Sequence, residues 1–287
     1  MTLEQMTYSR LLTKAAQEFA TLGFETPKFD ARLLLQEAGG FSHAQFISNG
    51  DDICPEEIEA RYREFVERRK LGEPVHRILE YREFFGREFQ LSAETLIPRP
   101  DTEVLIEAVL ENLSRPNGSI LDIGTGSGVI AITLAAELPS FNVTAIDVSE
   151  DALTTASANA RRHGVEQRVS FVKSDMFSRV DGKFDLIVSN PPYIPTADMS
   201  CLAREVIDHD PHTALDGGAD GLEFYRRIFA SVHEYLKPSG MVVVEIGIEQ
   251  KNSVSEIALV SGFDLAKTQK DLAGIDRILM FEMQSVA

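Results

Sequence analysis

The apolar positions change their period along the chain, and the changes divide it into three parts. Up to about residue 72 they recur at helical spacing, with Leu11, Leu12, Ala15, Phe19 and Leu22 on one face of a segment over 8–22. Further helices are expected over 28–37, from a capped start near Ser42, and over 55–71. Gly23, Gly39-Gly40 and Asn49-Gly50 punctuate them, so residues 1–72 read as a small helical bundle. Segment 73–100 carries aromatic, β-leaning residues around Gly86 and reads as a linker holding a hairpin, 82–85 against 88–91. From residue 101 onward helices and strands alternate. Strands are expected over 119–123, 142–147, 168–173, 184–189 and 241–246, and helices over 129–138, 150–163 and 221–236. Residues 263–269 and 277–283 are expected to close the sheet as a pair. This alternation predicts a parallel, doubly wound α/β sheet over residues 101–287.

Charge then narrows the choice of ligand. The formal net charge of -17 argues against direct nucleic-acid binding, because phosphate neutralisation needs a basic footprint. A local basic run, Arg61, Arg63, Arg68, Arg69 and Lys70, is interleaved with Glu57, Glu59, Glu64 and Glu67 at helical spacing and reads as a solvated, salt-bridged face. Cys54 and Cys201 are too few and too distant in sequence for a disulfide framework or a zinc ribbon, which suits a reducing compartment. No apolar run approaches a membrane span, and the polar start Met1-Thr2-Leu3-Glu4-Gln5 does not read as a secretory leader, so a cytoplasmic protein without membrane contact is expected. Asp208-His209-Asp210-Pro211-His212 are consecutive residues of a loop, which rarely converge on one ion, and no metal is expected.

Two motifs carry chemistry. Leu121-Asp122-Ile123-Gly124-Thr125-Gly126-Ser127-Gly128 follows a strand and precedes a helix, where glycines allow a tight turn and close approach of backbone to a ligand. The glycines lack dinucleotide spacing and no Lys-Ser/Thr pair follows, so a diphosphate is disfavoured. Asp147, about twenty residues on, is placed either to accept both hydroxyls of a ribose or to cap the helix beginning near Ser149-Glu150. The second motif, Asn190-Pro191-Pro192-Tyr193, directly follows the apolar run Phe184-Asp185-Leu186-Ile187-Val188-Ser189. Two prolines cannot continue a ladder, so the chain leaves the sheet in a stiff bend that offers the Asn190 side-chain oxygen and the Pro191 carbonyl as acceptors. Two acceptors on a rigid base suit a planar NH2 group on an sp2 carbon, and Tyr193 is expected to pack flat against it. An amide and an exocyclic base amine both present such a group. Asp122 and Glu245 end apolar runs, either as site acids or as partners of loop backbone.

These residues resemble a class I S-adenosylmethionine-dependent methyltransferase, and the resemblance extends over the whole chain to the peptide chain release factor N(5)-glutamine methyltransferases. Its most specific string is Ile97-Pro98-Arg99-Pro100-Asp101-Thr102-Glu103, joined by Pro74-Val75-His76-Arg77-Ile78-Leu79, by Asp210-Pro211-His212-Thr213-Ala214-Leu215-Asp216-Gly217-Gly218 and by Glu245-Ile246-Gly247. Glu80 departs from it, standing where a glycine is usual, and so does Asp210 after His209. The resemblance implies a Rossmann-like, seven-stranded sheet whose final strand is antiparallel, with residues 1–72 binding the release factor. It implies S-adenosylmethionine held by Gly124, Thr125, Gly126, Ser127, Gly128, Asp147, Met176 and Asn190, and a glutamine amide held by Asn190, Pro191, Pro192 and Tyr193, with Asn190, Pro191 and Tyr193 carrying catalysis. Met176 reads either as an adenine contact or as a core residue, and Asp175 as reaching the adenine amino group or capping a helix. Arg99 and Glu103 close the pocket or form a surface pair. The expected partner is a class 1 peptide chain release factor, methylated on the glutamine of its Gly-Gly-Gln loop by a monomeric enzyme. The rivals are a methyltransferase for adenine N6 in DNA or RNA, and a cofactor-binding module without catalysis.

Overall fold

Two of the helix starts in the first part are set by capping side chains. A computed structural model of the chain describes residues 6–284, and Met1 to Gln5, expected above as a polar start, lie outside the described residues. Two compact units are present, Met1–Glu80 and Tyr81–Ala287, so their boundary falls inside the segment expected as a linker.

The first unit holds α1 (Tyr8–Thr21), α2 (Pro27–Gly39), α3 (His43–Asn49), α4 (Glu56–Lys70) and the short α5 (Val75–Leu79). The Thr7 hydroxyl accepts from Arg10 N–H, and Ser42 with Gln45 forms a reciprocal capping box. Leu11, Leu12, Ala15 and Phe19 are buried as their spacing predicts. Leu22 is not: the helix ends one residue before it, and the side chain is left exposed. Within the basic run, Arg63 pairs with Glu59 and Lys70 with Glu67 on the surface, as expected. Arg69 departs from that pattern. It is buried, donates to Asp30 Oδ2 at 2.8 Å, and lies 3.8 Å from the centroid of the Phe24 ring. Glu80 caps α5 with φ 64°, a left-handed conformation that glycine adopts without strain.

The second unit opens with a hairpin of β1 (Tyr81–Phe84) and β2 (Arg87–Gln90), one residue earlier than its pattern predicts. Then come α6 (Asp101–Asn112), β3 (Gly118–Ile123), α7 (Val129–Glu137), β4 (Phe141–Asp147), α8 (Glu150–Arg162), β5 (Val169–Lys173) and β6 (Phe184–Ser189). A long connection carrying α9 (Arg204–His209) leads to α10 (Glu223–Tyr235), β7 (Leu236–Glu245), α11 (Lys251–Val260), β8 (Phe263–Lys270) and β9 (Asp276–Met283). The seven strands lie in the order β5-β4-β3-β6-β7-β9-β8, parallel except for β9, which is antiparallel to both β7 and β8. Ile120, Val143, Leu186, Val188 and Val243 face one core with α6 and α7. Leu121, Ile146, Ile187, Val242 and Val244 face the other with α10 and α11. Both faces are therefore covered, as near-continuous apolar strands require. The chain enters at β3, winds out to β5 and returns beside β3 at β6, which puts the topological switch point between β3 and β6.

Because Asp30 is buried and shares its charge with Arg69, removing one partner strands the other. Arg69→Ala is expected to destabilise the helical unit by about 3–5 kcal/mol, read from the urea midpoint of the full chain.

Candidate active site

The carboxyl ends of β3 and β6 lie side by side, with Ile123 opposite Ser189, and each strand runs straight into one of the two motifs. After β3 the chain turns through Gly124, Gly126 and Gly128, whose φ values of 74°, 56° and 85° need glycine. This loop is fastened inward. Gly124 and Thr125 N–H both donate to the Ile146 carbonyl at 2.9 Å, and Gly126 N–H donates to Asp147 Oδ2 at 2.9 Å. The Thr125 hydroxyl donates to Asp122 Oδ2 at 2.6 Å. With three successive amides turned to β4, the loop presents no donor nest for a diphosphate. Its open side is bare backbone, since a Cβ at Gly124 or Gly126 would meet no protein atom within 4 Å. The loop, including Thr125 and Ser127, borders a cavity of about 540 Å³, within the range of small-molecule sites.

Asp147, at the end of β4, also borders the cavity. Its Oδ1 accepts from Ser149 N–H at 2.9 Å, but the cap of α8 is Ser149, whose hydroxyl accepts from Ala152 N–H. Each Asp147 oxygen thus makes one backbone bond and keeps a lone pair for a further donor. Met176 has φ 49° in a turn locked by the Ser174 hydroxyl, which donates to the Met176 carbonyl at 2.7 Å. Its side chain meets both the α10-side core and the cavity. The Asp175 carboxylate instead pairs with Arg227 of α10 at 2.5 Å, and Arg227, Phe224 and Ile228 complete this wall.

On the β6 side, Asn190, Pro191 and Pro192 border the same cavity. Half-buried Asn190 donates from Nδ2 to Thr102 Oγ1 at 3.0 Å, in the first turn of α6. Beyond the prolines, Ile194 N–H donates to the Leu215 carbonyl at 3.1 Å and Gly217 N–H to the Ile194 carbonyl at 2.8 Å, pinning the far side of the bend. Tyr193 stands apart from the expectation of a ring against a planar guest. Its ring lies beside Gly247 and the α10-side core and is not among the cavity-lining side chains, and burial pushes its phenol up to about 12. Its carbonyl accepts from Gln250 Nε2 at 2.9 Å. Gln250 also donates to the Gly221 carbonyl at 3.2 Å and accepts from Gly247 N–H at 2.9 Å, tying three loops together. Arg99 borders the cavity and pairs at 2.8 Å with buried Asp210, while Glu103 accepts from Phe85 N–H, so the two do not pair with each other.

Two carboxyls are buried at the strand ends. Burial pushes Asp122 up to about 7, against the hydrogen bond from the Thr125 hydroxyl. Burial likewise pushes Glu245, last residue of β7, up to about 7, and its Oε2 has no hydrogen-bond partner. Thr102 was within reach of sequence reading as part of the proline-bracketed string; nothing local signals Gln250 or Arg227.

Residues 10–79 match the family described as PrmC N-terminal domain, and residues 100–219 match the methyltransferase small domain. A release factor glutamine methyltransferase of Agrobacterium fabrum is 44% identical over 280 residues, covering 96% of this chain and 97% of that protein. The chain belongs to the release factor glutamine methyltransferase family. Another member, from Rhodospirillum rubrum, is 44% identical over 94% of this chain and 83% of its own length. The catalytic domain of hMettl16, solved in complex with a MAT2A 3'UTR hairpin, shares the methyltransferase fold at a TM-score of 0.57 and 18% identity, over 78% of this chain and 83% of that one. The two-motif crevice of this chain is thus set on a common fold.

Gly221 has φ 73°, and a Cβ there would stand 2.3 Å from the Tyr193 carbonyl oxygen. Gly221→Ala is expected to destabilise this family member by at least about 1 kcal/mol, measured by urea unfolding. The buried carboxyls set a pH dependence. Asp122 and Glu245 rise from 3.8 and 4.5 to about 7, so the folded state holds their protons more tightly than the unfolded chain. Their contribution to stability is full below those ordinary values and is lost as pH rises through about 7. Asp122→Asn is expected to flatten part of that fall in a series of urea midpoints against pH.

Proposed function

We propose that this chain moves the methyl group of S-adenosylmethionine onto the side-chain amide nitrogen of a glutamine in a class 1 peptide chain release factor, the glutamine of its Gly-Gly-Gln loop. The observation that carries this reading is the proline-stiffened bend at Asn190 and Pro191, open to the same cavity as the glycine loop. Support also comes from the names of relatives that match 96% and 94% of the chain, and from the net charge of -17, which disfavours a nucleic-acid substrate.

The cavity residues fit this cofactor. The bare faces of Gly124 and Gly126 leave room for the methionine part beside Thr125, Ser127 and Gly128, and the spare lone pairs of Asp147 suit two ribose hydroxyls. Met176 offers a soft, polarisable surface to the adenine. S-adenosylmethionine supplies an electrophilic methyl group on a sulfonium centre. The chain's own residues supply position. Asn190 Oδ1 and the Pro191 carbonyl accept the two amide protons of the glutamine, with Pro192 against its plane, and this favours a pyramidal nitrogen whose lone pair points at the electrophile. The surplus proton becomes acidic once the nitrogen is alkylated and passes to a carbonyl or water, so no strong base is needed. Tyr193 acts by locking the bend through its carbonyl and Gln250. The helical unit, Met1–Glu80, grips the release factor away from the reacting atom and supplies affinity. A translation factor as substrate implies a cytoplasmic enzyme.

The test is to incubate the full chain and methyl-labelled cofactor with a release factor, with its Gln-substituted variant, and with bulk nucleic acid. Label is expected on the release factor only, and only with the glutamine present; label on nucleic acid alone overturns the substrate. Asn190→Ala is expected to lower kcat at least about 100-fold with little change in cofactor Kd, and near-normal turnover overturns the role of the bend.

A further inference from the structure

Helix α10 contributes a wall of the cavity that has no part in the chemistry at Asn190. Phe224, Arg227 and Ile228 stand at three- and four-residue spacing on it, so they share one face, and all three border the cavity. Ile228 is buried, while Phe224 and Arg227 are half-buried. The wall is fastened at two points. Glu223 N–H donates to the Gly217 carbonyl at 3.1 Å, which holds the first turn of α10 to the loop behind the proline bend. Arg227 Nη2 donates to Asp175 Oδ1 at 2.5 Å, and the guanidinium carbon lies 5.8 Å from the centroid of the Phe224 ring. Asp175 and Met176 belong to the turn that follows β5, and Ser174 N–H ties that turn to the Asp147 carbonyl at 2.9 Å. The ion pair therefore joins α10 to the turn beside Asp147.

We propose that Phe224 and Arg227 form the surface against which the adenine of the cofactor packs. This rests on the reading that S-adenosylmethionine fills the cavity with its ribose at Asp147. The methyl group has to reach Asn190 beyond the end of β6, so the methionine end lies on the β3 and β6 side of Asp147. The base is joined to the other end of the ribose. In the strand order β5-β4-β3-β6 that other side belongs to β5, whose following turn carries Met176 and is the one that Arg227 reaches. Adenine has two broad π faces, and an aromatic ring or a guanidinium plane stacks on such a face whatever lies at its edge. Asp175 holds one edge of the guanidinium and so fixes its plane, and Arg227 makes no other hydrogen bond among the described residues. Met176 gives the base a soft surface without a ring. The ring comes from α10.

The sequence holds no tryptophan, so Phe224→Trp places a single indole in the wall. When S-adenosylhomocysteine is titrated into the full chain, the emission of that variant is expected to fall to a plateau, as stacking on a purine requires. Binding seen by calorimetry with unchanged emission overturns the proposal. Phe224→Ala is expected to raise the Kd of S-adenosylhomocysteine about tenfold, the scale of one base–aromatic stack, and Phe224→Tyr to restore it. Arg227→Lys keeps a charge opposite Asp175 but loses the plane, and is expected to raise the same Kd about threefold. A merely structural role would lower urea midpoints without quenching the indole. Should Phe224→Ala fail to fold, the Phe224→Trp emission and the Arg227→Lys affinity decide. If Phe224→Ala raises the KM for the release factor and leaves the Kd of S-adenosylhomocysteine unchanged, the wall belongs to the substrate and the proposal is overturned. If the unsubstituted chain binds S-adenosylhomocysteine while Phe224→Ala and Arg227→Lys bind it equally well, the proposal falls and the cofactor reading stands. If the unsubstituted chain binds none, the cofactor reading fails, and the proposal with it.

Discussion

A strand hydrogen-bonded on both sides cannot continue through two residues that lack N–H groups. β6 lies between β3 and β7, and Pro191 and Pro192 end it at the switch point of the sheet. Everything at the site follows from that forced exit. The backbone must turn out of the sheet, the Pro191 carbonyl loses its ladder partner, and Asn190 comes to the rim of the crevice into which the glycine loop also opens. The bend is stiff because proline fixes φ, and it stays in place because the loop around Leu215–Gly217 and the Gln250 side chain hold its far side.

The crevice joins two kinds of polar group. Those of the glycine loop are spent on the neighbouring strands: amides on Ile146 and Asp147 of β4, a hydroxyl on Asp122 of β3. This makes the loop rigid and leaves its outward face as nearly featureless backbone. Those of the bend are left with unused acceptors. Rigidity on one side and open lone pairs on the other form a division that suits a site in which positioning dominates.

Much of this was legible in the chain. The period of apolar residues places β3, β4 and β6 within a residue of their observed ends, and the antiparallel closing pair falls where it was expected. Both motifs lie where a strand ends, because local chemistry specifies them: glycines for φ near +60° to +85° and prolines for a stop. What escaped depends on partners far apart in sequence. Thr102 meets Asn190 across 88 positions, Gln250 meets Tyr193 across 57, and Arg227 meets Asp175 across 52. Arg69 looked like one more surface cation because its partner Asp30 lies 39 residues earlier, on another helix. Periodicity reports which face is buried, but not which polar group waits there. Tyr193 illustrates the same limit: it adjoins the prolines in sequence, and its ring packs beside Gly247 and the α10-side core.

The position of β9 has a consequence for biosynthesis. It is the last strand along the chain, yet it is inserted between β7 and β8, with Ile278 opposite Glu245. As the polypeptide leaves the ribosome, β7 therefore waits with one edge unpaired until residues 276–283 have emerged. The end of β7 at Glu245 thus gains its second neighbour through a contact of high sequence separation, for which loop-closure entropy must be met before the pairing rewards it.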